Sequence, residues 1–74
     1  MNPNKKSYKR VISDAEDLLE YSDNFALNYS IVVHALILAS EACVLAENKE
    51  QFNKAADFRQ KAKVLLTEIF TETA

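Results

Sequence analysis

Residues 25–46 form a nearly continuous apolar run, and a chain of only 74 residues has little with which to surround it. Between Ile31 and Ala39 the single interruption is His34, and the first charge after Asp23 is Glu41. A segment of this length and polarity must be covered on most of its circumference, because apolar surface left in water is unfavourable in proportion to its area. The covering material is two flanking segments of opposite character, both amphipathic.

Nothing in the chain after Pro3 interrupts a helix: there is no glycine and no second proline. From Tyr8 the apolar positions run Tyr8, Val11, Ile12, Ala15, Leu18 and Leu19, a three-to-four spacing that marks one helical face. After residue 50 the stripe is Phe52, Ala55, Phe58, Ala62, Leu65, Leu66 and Ile69, with Lys54, Asp57, Gln60, Lys61, Lys63 and Glu68 turned away from it. The expectation is an all-α, antiparallel three-helix bundle with helices at about 5–22, 24–47 and 50–71. It forms one small domain over residues 1–74, in which residues 1–6 are a frayed basic arm.

Ser22-Asp23-Asn24 offers N-caps for the second helix. Between the second and third helices Asn48 can take the left-handed conformation that ends a helix or act as N-cap, with Gln51 three residues on as its capping-box partner. The alternative is one fused helix across this point, which would leave the apolar run bare. Helix 1 runs against its macrodipole, basic at the start and acidic at the end. A second helix origin at Ser13, where Ser13-Asp14-Ala15-Glu16 spells a capping box, would relieve that conflict.

At about 100° per residue the central run splits into faces. Ile31, Ala35, Leu38 and Ala42, continued by Ala39 and Ala46, suit a close intramolecular hairpin. Val33, Ile37 and Val44, with Ala26 and Ser40, lie on the opposite side, and His34 and Glu41 border them. Helix 1 is expected to cover part of this second face but not all of it. Chains below roughly 70–80 residues rarely gain more than about 3–5 kcal/mol from one core without a staple. With one cysteine, Cys43, no intramolecular disulfide forms. The expectation is therefore a homodimer through helix 2, with Val33, Ile37, Val44, Ala26 and Ser40 in the interface and His34 and Glu41 at its edge.

Chemistry is sparse. His34 has Ser30 one turn before it and Glu41 two turns beyond, so no base–nucleophile pair is in reach along the helix. No metal-ligand spacing and no phosphate-cradling glycine loop is present, so no catalytic residue, metal or cofactor is expected. Cys43 reads as a small buried hydrophobe. The net charge of −2 argues against a nucleic-acid specialist. A nucleic-acid accessory role through the basic arm around Tyr8 is the alternative, and membrane association is the third.

No apolar segment follows the basic start in the manner of a secretory signal, and a cytoplasmic domain outside the membrane is expected. The favoured function is a non-enzymatic interaction module that adapts, regulates or inhibits a larger protein. Its candidate contacts are Lys5, Lys6, Lys9 and Arg10, the acidic patch of Asp14, Asp17 and Glu20, and Phe70 as an apolar anchor.

The second half, Ala35-Leu36, Glu41-Ala42, the stretch from Glu47 to Ala56 and Lys61-Ala62, resembles the helical hairpin of tetratricopeptide-type and MIT domains. Those are peptide-binding modules, which is what the resemblance implies. The chain departs from them at the turn, where an acidic or amide residue replaces glycine, and at Arg59, where an aromatic is expected. It carries no repeat.

Overall fold

The computed structural model describes residues 7–24 and 28–73. These make three helices, α1 (Tyr8–Asn24), α2 (Tyr29–Leu45) and α3 (Lys49–Thr73), with no strand among the described residues. The expected all-α three-helix bundle is thus observed, with boundaries that differ for identifiable reasons.

Helix α1 starts at Tyr8 because Ser7 caps it. The Ser7 Oγ accepts the Arg10 amide at 3.3 Å and its carbonyl accepts Val11 at 3.1 Å. The helix then runs unbroken through Ser13, so no second origin forms there. It also runs through Ser22 and on to Asn24, which removes 22–24 as the cap of the next helix. That cap is Asn28, extended at φ −122° and ψ 128°, whose side chain accepts the Ile31 amide at 3.3 Å. Helix α2 therefore begins within the apolar run rather than at its edge. Lys5, Lys6 and Ala26, expected to act in partner binding and self-association, lie outside the described residues.

The turn between α2 and α3 follows the sequence reading. Asn48 caps α3 by accepting the Gln51 amide at 2.9 Å, and its carbonyl accepts Phe52 at 3.0 Å. The Gln51 side chain returns the bond one residue earlier than a standard capping box, accepting the Glu47 amide at 2.8 Å. Ala46, at ψ 134°, turns the chain out of α2, so the fused helix does not occur. With three N–H groups satisfied locally, the turn needs no glycine.

Helix α2 packs against both neighbours, while α1 and α3 touch little of each other. The Tyr8 hydroxyl donates to the Gln51 carbonyl at 3.0 Å, tying the start of α1 to the first turn of α3 and setting these two helices parallel. At the other end the rings of Tyr29 and Phe70 meet at 5.7 Å and 59°. Side chains on a helix lean toward its N-terminus, so Tyr29 reaches beyond the start of α2 toward the overhanging end of α3.

The core lies where the three helices converge, in two adjoining clusters. One joins Val11, Ile12 and Ala15 to Leu38, Ala42 and Ala55; the other joins Leu19 to Val32, Ala35 and Ala62. Among the described residues, six of the eleven buried apolar ones are alanine, and the only large side chains fully enclosed are Leu19 and Val32. Small residues let the helices approach closely but bury little area each, so the core is thin. The molecule is correspondingly elongated, 46 × 25 × 18 Å. Its radius of gyration is 12.9 Å, where a compact chain of this length has about 11 Å.

Candidate functional site

The second face of α2 stands outside this core. Val32, Ala35, Leu38, Ala39 and Ala42 are buried on one side of the helix. On the other side Ile37 is 52% exposed, Val44 is 86% exposed, and Val33 and Ser40 are half-buried. Helix α1 packs on the core side, through Val11, Ile12, Ala15 and Leu19. The face comprises Val33, Ile37, Ser40 and Val44.

Its two borders differ. On one, Ser30 and His34 are exposed and Glu41 is half-buried. On the other lie Tyr29, Leu36 and Cys43. Leu36 and Cys43 are half-buried against the core clusters, and Tyr29 is exposed with its ring on Phe70. Cys43 is thus a shoulder of the core rather than an interior residue, a departure from the expected burial.

Helix α3 carries further apolar surface next to this second border. Phe52 and Phe70 are 46% and 55% exposed and lie eighteen residues, about five turns, apart, hence on one line of the helix. Phe52 belonged to the expected core stripe. It stands off the line of Ala55 and Ala62 by about one-sixth of a turn, which places it at the rim. Phe70 is exposed as expected, but within a helical turn and in contact with Tyr29.

The remaining candidate contacts are scattered. Lys9, Arg10, Asp14, Asp17 and Glu20 are all exposed on α1, and none shares the α2 face. Tyr8, the aromatic amid the basic residues, is half-buried against the first core cluster with its hydroxyl spent on Gln51. It offers no free ring for stacking on a base. Burial raises the Tyr8 phenol above the ordinary value of 10.0, with the Cys43 thiol and the Glu50 carboxylate adding to the effect.

An open cleft of about 280 Å³ lies between Tyr8 and the start of α3, lined also by Asn48, Glu50, Gln51 and Lys54. Asn48 and Gln51 are committed to capping, and no nucleophile–base pair faces the cleft. Among the described residues no group of three or more His, Cys, Asp or Glu could hold a metal, and no helix is long and apolar enough to cross a membrane. Comparison with family models, curated proteins and solved structures finds no match.

Sequence reasoning missed two features. Asn28 was not singled out as a cap, since it stands inside the apolar run with Ile31, not Glu or Gln, three positions on. Ser22 is buried in α1 at 5% exposure with no partner for its Oγ among the described residues, at the position where the spacing of Ala15, Leu18 and Leu19 continues.

Proposed function

We propose that the chain is a small non-enzymatic interaction module that works as a homodimer, joined through the outward face of α2. The observation that carries this reading is the pairing of a thin, alanine-rich core with large apolar side chains left in water directly behind it. Burying Ile37 and Val44 against a second copy adds to each chain the kind of side-chain burial worth about 1.5–3 kcal/mol when complete. That is comparable with the whole stability available to a core of this size. A twofold dimer needs only one such patch, used twice.

Docking of two copies on α2 would leave the acidic residues Asp14, Asp17 and Glu20 of α1 facing outward on both sides. They are the surface through which a larger protein would be adapted, regulated or inhibited. Light scattering on the eluting peak of a sizing column, at low micromolar concentration, tests the reading. A mass of twice 8.4 kDa is expected, and the single-chain mass would overturn it.

A further inference from the structure

Val33, Ile37, Ser40 and Val44 follow one another at intervals of four, three and four. That is the alternating spacing of the two core positions in a coiled-coil heptad. The outward face of α2 is therefore a seam suited to another helix, and the proposed self-association supplies one. The geometry points to a specific arrangement: two copies joined antiparallel along this seam, with His34 of each beside Glu41 of the other. This inference rests on the proposed dimer and adds its orientation, register and polar contacts.

The two borders of the seam are unlike. One border is polar, with Ser30, His34 and Glu41; the other is apolar, with Tyr29, Leu36 and Cys43, extended by Phe70 of α3. Two parallel helices related by a twofold axis along their length bring opposite borders together. Each Glu41 would then face Leu36 or Cys43 of the second copy, setting a charged border against an apolar one. Two antiparallel helices related by a perpendicular axis bring like borders together. The apolar borders then bury one another, and the polar borders meet along their own edge.

The register follows from the same residues. With the twofold axis level with Leu38 and Ala39, Val33 faces Val44 of the second copy and Ile37 faces its Ser40. Every seam position is then matched at once. The two small serines sit against isoleucine, which limits crowding near the axis. In this register His34 and Glu41 of the second copy differ in height by only two residues, about 3 Å. Imidazole and carboxylate are then within reach of a hydrogen bond, twice per dimer by symmetry.

Cysteine cross-linking tests the arrangement in the full chain. In a Cys43→Ala background, Val33→Cys and Val44→Cys are prepared separately, and the mass of each is measured before oxidation. The antiparallel register predicts a disulfide when the two proteins are mixed, and none when either is oxidised alone. Within each variant the paired cysteines are eleven residues apart in height, about 16 Å, well beyond the 4.4–6.8 Å between Cα atoms that a disulfide requires.

A second readout needs no cysteine. His34→Glu should weaken the dimer several-fold by facing Glu41 of the second copy, and Glu41→Lys added in the same chain should restore it. A dimer in which each single-cysteine protein cross-links with itself overturns the antiparallel arrangement and leaves the proposed dimer standing. A dimer that forms no disulfide in any mixture, or whose affinity the charge exchange does not restore, overturns the seam and its register. A single-chain mass for the wild type overturns the proposed function as well.

Discussion

Asn28, Asn48 and Ser7 each end a stretch of chain by the same chemistry, a side-chain oxygen that takes an amide left without a partner in the first turn of a helix. Asn48→Ala should cost about 1 kcal/mol in urea unfolding. Its loss frees the Gln51 amide, while the Gln51 side chain can still accept the Glu47 amide. The opposite outcome is expected at Ser22, whose buried hydroxyl has no hydrogen-bond partner among the described residues. Ser22→Ala removes an uncompensated polar group while keeping the methylene, and should raise stability by about 1 kcal/mol.

Tyr8 yields a pH prediction. Its phenol is raised in the folded state, so its contribution is fully present below the ordinary value of 10.0. It is lost as the pH rises through the higher folded value. Unfolding free energy should therefore fall above about pH 10, and part of that fall should vanish in Tyr8→Phe. At neutral pH the same variant should cost about 0.5–1.5 kcal/mol for the lost bond to Gln51. Caps of this kind were only half legible in the sequence. Asn48 stands between two periodic segments, which exposes its role. Asn28 stands inside an apolar run, where periodicity has nothing to contrast it with.

At the level of helices, legibility followed amphipathicity. The stripes of α1 and α3 are set off by charges, and the residues assigned to the α1 stripe are those found buried or half-buried in the core. Helix α2 has almost no polar contrast, so its existence was clear and its start was misplaced by five residues, from 24 to 29. The split of α2 into two faces could still be made, because its alanines all fall on one side of the wheel even where polarity gives no contrast. Alanine marks the side where helices approach closely: Ala35, Ala39 and Ala42 are buried, and the branched Ile37 and Val44 are exposed. Replacing Ala35 or Ala42 by Leu should overpack that contact and cost about 1–3 kcal/mol in chemical unfolding. Lys in place of Val44 should leave the helical content of the single chain unchanged, as expected for a residue 86% exposed. The contrast between the two sides of one helix separates packing within the chain from the face proposed to meet a second copy.

In the molecule as a whole, the enclosed side chains are mostly small and large apolar ones are left exposed. Three helices around a mostly alanine core make an elongated body, and the chain has neither a disulfide nor a metal cluster among its described residues to reinforce it. The homodimer proposed here supplies the missing burial, and the heptad spacing of Val33, Ile37, Ser40 and Val44 says how a second copy would lie. The identity of a further partner was not legible, because recognition by the scattered charges of α1 depends on a surface that this chain does not contain.

The central claim is that the fold is completed by a second copy, and the concentration dependence of unfolding tests it most directly. For the wild type the unfolding midpoint should rise with protein concentration, since each tenfold increase favours a dimer by about 1.4 kcal/mol. For Ile37→Glu combined with Val44→Glu it should be lower and independent of concentration. A wild-type midpoint that stays fixed across a hundredfold range, with the double variant unfolding at the same point, would contradict the account.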